Sequence, residues 1–415
     1  SAAPATSERY RKAKLGTVEI RKPMIRSLED THLLRIGRPN SRSLVAFGQV
    51  FALAAGLHPL VAQTPPLWRL ATPDFEVGGY AADSASELAE LGGVTILPNG
   101  NVVIGDRVAP FLKVFDPSGT HIRDLGQSGQ GPGEYQYVYE MDWCAHGELS
   151  VFDVDRRVHR YTGDMTFVST ELVSLDAIGG GVAYMRDCNP NGYQVVTGWG
   201  DIQAQFKEGL YDATAPVVLL KGEDVVRHFG ECLSSQRLGA VRPDGAPAGS
   251  GPHPFGRATV VALGSEEVYM GDGRDYEIEV YDLSGNPLPS IRWTGPSLRY
   301  DRDLVDEFSE QAVSQAPEGS RPRLRRWYAQ LPELDQFPAY DRIVVSDTDE
   351  VWVRQFVRPD AIGEEWMVFG ASHELKGKLT MPPRTTLWEV RGDRVVYSVL
   401  DGLDVPIVRI SRIER

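Results

Sequence analysis

The stretch "LPNGNVVIGDRVAPFLKVFDPSGTHIRDLG", residues 97–126, contains a unit that the rest of the chain repeats. It holds a turn, an apolar run, an aspartate, a second apolar run ending in an aromatic residue, and a second turn. Short runs rich in Val, Ile and Phe between turns such as "PNG" and "DPSG" predict β-strands. The same order recurs in residues 144–172 and 263–293, and weaker copies lie in residues 189–201, 346–357 and 390–413.

The repeat has a period of about 45 residues. Anchors at the first turn of each unit lie 47, 45, 74, 83 and 44 residues apart, and the two long intervals hold insertions. These anchors are Gly100, Gly147, Gly192, Glu266, Asp349 and Asp393. A period of about 40–50 residues with four short strands is typical of a propeller blade. The alternative, a β-sandwich, does not explain why one spacing of six residues from anchor to aspartate returns in three units.

The repeats therefore predict an all-β chain folded as a six-bladed β-propeller. Residues 67–79, "LWRLATPDFEVGG", precede the first full unit and form a further β-run. The last copy stops shortly after its third run, so we expect this early run to supply the outer strand of the last blade. Residues 63–415 are thus predicted to form a single propeller domain.

Charge is distributed unevenly along the 415 residues. Acidic residues outnumber Lys and Arg by 57 to 43, although residues 1–42 carry ten basic and four acidic side chains. The remainder is strongly acidic, which repels a phosphate backbone, so we expect no nucleic-acid partner.

A secretory signal is predicted at the amino-terminal end. The basic segment runs into the apolar stretch 43–62, which ends in small residues, so we expect cleavage near Ala62 and export to the periplasm or the cell exterior. The alternative is an uncleaved membrane anchor, which would be the chain's only membrane contact. Gln49, His58 and Pro59 interrupt the run, whereas a span needs about 20 apolar residues. Residues 1–62 are therefore left out of the fold.

The loop "GQSGQGPGEY", residues 126–135, joins the first unit to the second. A P-loop would end in Gly-Lys-Ser or Gly-Lys-Thr, whereas this loop ends in an acid and an aromatic residue. A dinucleotide fingerprint needs GxGxxG between a strand and a helix, whereas this loop offers GxGxG between strands. Glycine for positive φ and proline to fix the exit favour a structural corner.

The "GQGPGEY" run within this loop, the "PNG" turns and the "FDPSG" and "YDLSG" corners resemble the bacterial 6-bladed β-propeller family related to NHL repeats. The resemblance covers about residues 67–415. It implies a six-bladed propeller that is usually exported. Relatives across the wider superfamily include protein-binding scaffolds, calcium-dependent lactonases and lyases, so the shared fold leaves the function open.

Propeller geometry predicts a polar face around the mouth of the central channel. The links from second to third strands and the links between blades emerge on this face. The candidate ligand-binding residues there are Asp106, Arg107, Glu134, Tyr135, Asp153, Arg156, Asp272, Arg274 and Arg354. The aspartates are either turn caps or part of a carboxylate ring for a hard cation such as calcium. The arginines either form surface ion pairs or present a polar mouth to an anionic or sugar-like ligand.

A second polar set lies on the predicted innermost strands. In "YEMDWC", residues 139–144, Glu140 and Asp142 alternate with apolar residues, so both carboxylates share one face. Arg186 and Asp187 belong to the next innermost strand. Two nearby carboxyl groups can transfer protons, with one pKa raised, or they can simply be solvated by channel water.

Residues 297–338 interrupt the β-pattern after the fourth unit. Apolar residues at helical spacing predict two short helices joined across "APEGSRP". The insertion either packs over a seam between blades or forms a partner surface, with arginines on its exposed side: Arg321, Arg323, Arg325 and Arg326.

The chain has three cysteines, Cys144, Cys188 and Cys232, without a CxxC pair or a Cys/His cluster. The spacing does not support a structural zinc site. In an oxidising compartment one pair can form a disulfide and leave one thiol free, and the spacing alone does not select the pair.

The sequence favours a non-catalytic, exported binding module that presents its channel mouth to a protein, a glycan or a small anionic ligand. The alternative is a metal-dependent hydrolase, similar to a lactonase, or a lyase acting at the mouth. No catalytic residue is assigned, because neither a nucleophile–base pair nor a positioned histidine can be identified. No cofactor is expected, with calcium left open.

Overall fold

The computed structural model describes residues 65–144, 147–153, 156–173, 182–199, 205–241, 245 and 247–415. The predicted signal, residues 1–62, lies outside these ranges. The described chain is predominantly β, and its strands follow one another as antiparallel meanders. Two short strands come first: β1 (Leu67–Leu70) and β2 (Phe75–Gly78).

The first two meanders have four strands each. The first comprises β3 (Leu91–Ile96), β4 (Val102–Asp106), β5 (Leu112–Phe115) and β6 (His121–Leu125). A small parallel pair then follows, formed by β7 (Gln127–Ser128) and β8 (Glu134–Tyr135). The second comprises β9 (Val138–Trp143), β10 (Leu149–Asp153), β11 (Arg157–Tyr161) and β12 (Phe167–Leu172).

The third meander is the largest and has five strands. They are β13 (Val182–Cys188), β14 (Tyr193–Trp199), β15 (Gly209–Lys221), β16 (Asp224–Val241) and β17 (Pro247–Pro252). The fourth comprises β18 (Val260–Leu263), β19 (Glu267–Gly271), β20 (Glu277–Asp282) and β21 (Pro287–Arg292). The long β15–β16 hairpin accounts for most of the first extended interval between repeat anchors.

The fifth meander comprises β22 (Tyr340–Val345), β23 (Val351–Gln355), β24 (Glu364–Phe369) and β25 (Leu375–Met381). The sixth comprises β26 (Thr386–Arg391), β27 (Arg394–Leu400) and β28 (Pro406–Glu414), and β2 supplies its fourth strand. Phe75 pairs with Ile410 in this antiparallel ladder. The expectation that residues 67–79 complete the last unit is thus confirmed for β2, whereas β1 pairs with both β25 and β28.

The apolar core lies between successive meanders. The second strands β4 and β10 are buried along their whole length, whereas the outer strand β6 is mostly exposed. One cluster joins Phe75 and Val77 of β2 to Ile96, Ile104 and Phe115 of the first meander. Strands buried on both faces need continuous apolar runs, which explains the composition of the repeat.

The first strands of the meanders stand next to one another in chain order. β3 contacts β9, β9 contacts β13, and the contacts continue through β18, β22 and β26, which returns to β3. This arrangement of sequential meanders around a common centre is typical of propeller folds.

The predicted helical insertion is confirmed by helices α1 (Arg302–Gln315) and α2 (Arg321–Tyr328), with a 3₁₀ turn between them at Glu318–Ser320. The Asp301 carboxylate accepts a hydrogen bond from the Leu304 N–H and caps α1. Val305 of α1 packs with Phe255, from the loop after β17, and with Phe337. The insertion therefore covers the loops around the fourth meander, as seam packing requires.

The four predicted insertion arginines are all exposed. Arg321 donates hydrogen bonds to the carbonyl groups of Ala316 and Ser314 at the end of α1. Within the described ranges, no helix combines the length and apolar character that crossing a bilayer requires.

Candidate functional site

A polar cavity of about 310 Å³ opens where the first strands of the meanders converge. Each of β3, β9, β13, β18, β22 and β26 contributes to its lining. In the second meander the side chains that face it are Glu140 and Asp142, as the alternation in "YEMDWC" predicts. Arg186 and Asp187 line the same cavity, so the structure brings the two sets together.

The Glu140 carboxylate makes no hydrogen bond to any other described residue, although its side chain lies between the first strands. Enclosure removes most of the water around its carboxylate and raises its pKa to about 7, while the charges of Arg342 and Arg186 act in the opposite direction. Its side chain is only half-buried, because it faces the cavity. Glu140 can therefore change its charge near neutral pH.

Arg342 is the cation that acts most strongly on Glu140, and the two form no direct ion pair. It uses one of the five guanidinium N–H groups to donate to the Leu387 carbonyl at 2.8 Å. Loss of water lowers the pKa of Arg342, while the charges of Glu140 and Asp341 act in the opposite direction. Arg186 donates through Nε to Thr197 Oγ1 at 2.9 Å. Both guanidinium groups retain donors that face the cavity.

Asp142 and Asp187 lie next to each other across the seam between β9 and β13 and line the same cavity. The Asp142 carboxylate accepts from the Trp143 N–H at 2.7 Å. Asp187 accepts from the N–H groups of Cys188 and Leu263, both at 2.8 Å. Burial and the neighbouring Asp142 charge raise the pKa of Asp187 well above its ordinary range, and burial raises the pKa of Asp142 as well.

Two other carboxylates in the cavity lining already have hydrogen-bond partners. Glu389 accepts from Thr95 Oγ1 at 2.8 Å and from Arg391 Nε at 2.6 Å. Asp341 accepts from Arg354 Nε at 2.7 Å. These groups shape the channel wall, and they leave Glu140 as the carboxyl group with spare hydrogen-bonding capacity.

Sequence reasoning missed Arg342, although the repeat contains the signal that locates it. Glu140 lies seven residues before the anchor Gly147, and Arg342 lies seven residues before the anchor Asp349. Likewise Asp142 and Asp187 each lie five residues before their anchors. Residues at the same distance before their anchors lie at the same depth in the cavity. Counting back from each anchor therefore indicates which residues line the cavity.

The predicted mouth aspartates Asp106 and Asp153 serve as buried clamps. Asp106 accepts from the N–H groups of Ala89, Glu90 and Val108 at 2.8, 3.2 and 3.1 Å. Burial raises the pKa of Asp106 despite these bonds. Each hydrogen bond to a chain segment 16 or 17 residues earlier ties the start of a meander to the end of its second strand.

Asp153 makes the equivalent bonds and one more. It accepts from the N–H groups of Gln136 and Tyr137 at 3.0 and 3.2 Å, and it pairs with Arg157. His159 lies beneath this pair, where burial lowers its pKa to about 4. The structure thus commits both aspartates to backbone N–H groups: Asp106 also caps its own turn through Val108, whereas Asp153 bonds the segment 16 or 17 residues earlier.

The remaining mouth residues are dispersed. Asp272 pairs with Arg257 and accepts from the Arg274 N–H at 2.9 Å. Arg274 is exposed. Arg107 pairs with Glu90 at 2.6 Å, Arg156 donates to the Val173 carbonyl at 3.2 Å, and Arg354 pairs with Asp341 and Glu364. These residues do not converge on one point as the channel set does.

Glu134 and Tyr135 stabilise the corner that contains them. Glu134 accepts from the Gly131 N–H and from Gln127 Nε2, both at 2.9 Å, and these bonds lower its pKa. Tyr135 is fully buried, and its hydroxyl bonds the Tyr161 hydroxyl at 2.6 Å. Gly126 has φ +79°, and an added Cβ would lie 2.7 Å from the Tyr135 ring. The loop is therefore a packed corner between the first two meanders.

Among the described side chains, no group of three or more His, Cys, Asp or Glu is arranged to hold a metal ion. Cys144 and Cys188 form a disulfide with a Cα–Cα distance of 5.3 Å, and Cys232 is free. Cys144 directly follows β9 and Cys188 is the last residue of β13, so the disulfide lies next to Asp142 and Asp187.

We expect Glu140→Gln to stabilise the protein at alkaline pH. Because the folded-state pKa lies above the ordinary value of 4.5, the wild-type carboxyl group loses stability as pH rises from 4.5 to about 7. Channel water screens part of this effect, so we expect a gain of about 1–2 kcal/mol in unfolding free energy at pH above about 7. Urea unfolding between pH 4 and 8 measures it.

The matched control is Glu134→Gln. The folded-state pKa of Glu134 lies below the ordinary value of 4.5, so the ionised carboxylate stabilises the wild type at pH above 4.5. Glu134→Gln should therefore be less stable than the wild type in that pH range. A pH-independent difference between Glu140→Gln and wild type would contradict the assignment of Glu140.

No protein-family model matches the chain, and no curated protein matches it. Solved structures with similar folds include a Bacteroides fragilis NCTC 9343 protein titled "Putative exported protein", with 14% identity, a TM-score of 0.46, and coverage of 84% of this chain and 96% of that chain. A DUF4221 family member from Bacteroides vulgatus ATCC 8482 has 8% identity and a TM-score of 0.42 over 84% and 99%.

Virginiamycin B lyase from Staphylococcus aureus is also similar, with 10% identity and a TM-score of 0.38 over 83% of this chain and 99% of that chain. Similarity at this level assigns the chain neither an activity nor a ligand.

Proposed function

We propose that this protein is an exported, six-bladed β-propeller that binds a small polar ligand in its central channel. The observation that carries the proposal is that two unpaired, oppositely charged side chains line one cavity of about 310 Å³. The Glu140 carboxylate lacks a hydrogen bond to any described residue, and Arg342 retains free donors. Ligand pockets combine a concave space with a few convergent polar groups, and this cavity has both.

The blade number is supported by the topology of the described strands. Each of the six meanders contains one repeat anchor, between its first and second strands. The first strands contact one another in a cycle, which the contact between β26 and β3 closes. The relation to NHL repeats rests on the "GQGPGEY" corner and the similar turns, and it remains part of the proposal.

Export is supported by the Cys144–Cys188 disulfide. Structural disulfides persist in oxidising compartments and are rare where thiols are kept reduced. The basic and apolar leader predicted from residues 1–62 is consistent with this location.

Ligand binding can be tested with a panel of small carboxylates: succinate, citrate, glucuronate, L-alanine, L-leucine and L-phenylalanine. We expect at least one to raise the melting temperature of the wild type, because a ligand that binds only the folded state stabilises it. Arg342→Gln should abolish the shift, whereas the exposed insertion variant Arg326→Gln should retain it. The absence of any shift, or an equal shift in Arg342→Gln, would reject binding in the channel.

A hydrolase or lyase is the second candidate, and the closeness of Asp142 and Asp187 in the cavity lining favours it. Two neighbouring carboxyl groups, one of them with a raised pKa, can donate and accept a proton in one reaction, as general acid–base chemistry needs. Turnover of a panel of lactones and esters, lost in Asp142→Asn but retained in Arg326→Gln, would favour this candidate over pure binding.

A further inference from the structure

We infer that the channel ligand is a zwitterion, a molecule that carries an ammonium group close to a carboxylate, such as an α-amino acid or a short peptide. This inference rests on the proposed channel-binding function and names its ligand class. It follows from side chains of opposite charge that line one cavity without forming an ion pair with each other.

The acidic side of the site is formed by Glu140 and the Asp142–Asp187 pair. The Glu140 carboxylate has no hydrogen-bond partner within the described chain, and Asp142 and Asp187 line the cavity beside it. An ammonium group brings three donors, which match the free lone pairs of carboxylate oxygens. A neutral or purely anionic ligand would leave this side unsatisfied.

The basic side is formed by Arg342 and Arg186. The hydrogen bonds to the Leu387 carbonyl and to Thr197 Oγ1 hold the two guanidinium groups and leave other N–H donors facing the cavity. A guanidinium group binds a carboxylate through two parallel hydrogen bonds. The absence of a direct Glu140–Arg342 ion pair leaves space between the charges for the two groups of a ligand.

The remainder of the lining limits the size of the ligand. Val261, Val344 and Trp388 contribute apolar surface beside the charged groups, and the volume of about 310 Å³ lies at the lower end for small-molecule sites. A single amino acid or dipeptide fits this combination of opposite charges and a short apolar wall. A polymer could be accommodated only through its end.

The pH dependence follows from the groups around Glu140, which are Arg342, Asp142, Arg186 and Arg107. Ammonium binding favours the ionised form of Glu140, whose pKa in the free protein is about 7. Affinity for a zwitterion should therefore rise as pH increases through 7, whereas affinity for a simple carboxylate should not.

The experiment is isothermal titration calorimetry of the full-length protein with L-alanine, L-leucine, L-phenylalanine and glycylglycine. Each probe is paired with its N-acetyl derivative, which lacks the ammonium group, and with its amide, which lacks the carboxylate. We expect at least one zwitterion to bind about tenfold or more tightly than both partners, the size expected for a lost charged hydrogen bond.

Two variants separate the two ends of the ligand. Glu140→Gln should reduce zwitterion affinity about tenfold and leave the N-acetyl derivative unaffected, whereas Arg342→Gln should weaken both. Arg342→Lys retains the charge and should recover part of the affinity. Arg326→Gln is the control, and thermal unfolding of each variant verifies that it folds.

The outcomes separate the zwitterion inference from the proposed channel-binding function on which it rests. If N-acetyl derivatives bind as tightly as the zwitterions and Glu140→Gln changes nothing, the ligand is a simple anion and only the zwitterion inference falls. If no probe binds and the carboxylate panel also gives no melting shift, the proposed function itself falls, and the inference with it.

Discussion

Replacing Cys144 and Cys188 together by alanine is expected to lower the free energy of unfolding by about 4 kcal/mol. The disulfide closes a loop of 44 residues, and the loss of that closure returns conformational entropy to the unfolded chain. Because domains are stable by only about 5–15 kcal/mol, this is a large fraction of the total. Denaturant unfolding under oxidising conditions measures the loss.

The matched control is Cys232→Ala, which removes the free thiol and closes no loop. Its effect should be much smaller, and a reducing agent should destabilise both Cys232→Ala and the wild type but not the double variant. Equal stability of the wild type with and without reductant would contradict the assignment of the disulfide.

Asp153→Ala is expected to cost about 3–5 kcal/mol of stability. Its side chain is fully buried, and its removal leaves Arg157 as an uncompensated buried charge. It also removes the acceptor for the N–H groups of Gln136 and Tyr137. Since these are structural bonds, the loss should be the same in calcium and in excess EDTA, as urea unfolding can test.

Asp106→Ala is the comparison variant, since Asp106 holds the equivalent place in the first meander. It bonds backbone N–H groups without a direct arginine partner, so we expect a smaller cost of about 1–3 kcal/mol. Equal costs at the two positions would show that the Arg157 pair contributes nothing. A cost at Asp153 that appears only when calcium is present would instead indicate a cation site.

Much of the strand order could be predicted from the repeat, because tight turns have a strong local signature. Gly100, Gly147 and Gly192 all have positive φ, and each lies in the hairpin between the first and second strands of its meander. Local chemistry determines such turns, so the anchors locate every first hairpin. The alternation of Glu140 and Asp142 likewise indicates which side chains face the channel.

The details of the site could not be predicted in the same way. Residues far apart in sequence determine whether a polar side chain is satisfied, as with Arg342 and the Leu387 carbonyl. The mouth set included Tyr135, whose hydroxyl is bonded to Tyr161, because the sequence does not show that this ring turns into the core. Pairing across seams between meanders is a property of the assembled fold.

The pairing of β2 with β28 has a consequence for the order of folding during synthesis. Phe75 is synthesised 335 residues before its partner Ile410, and at about 5–20 residues per second β2 keeps an unpaired edge for roughly 17–67 s. Unpaired edges invite association with other chains. A circular permutant that places β2 directly after β28 would remove this delay, and a chain shortened by its last strand would leave β2 permanently without a partner.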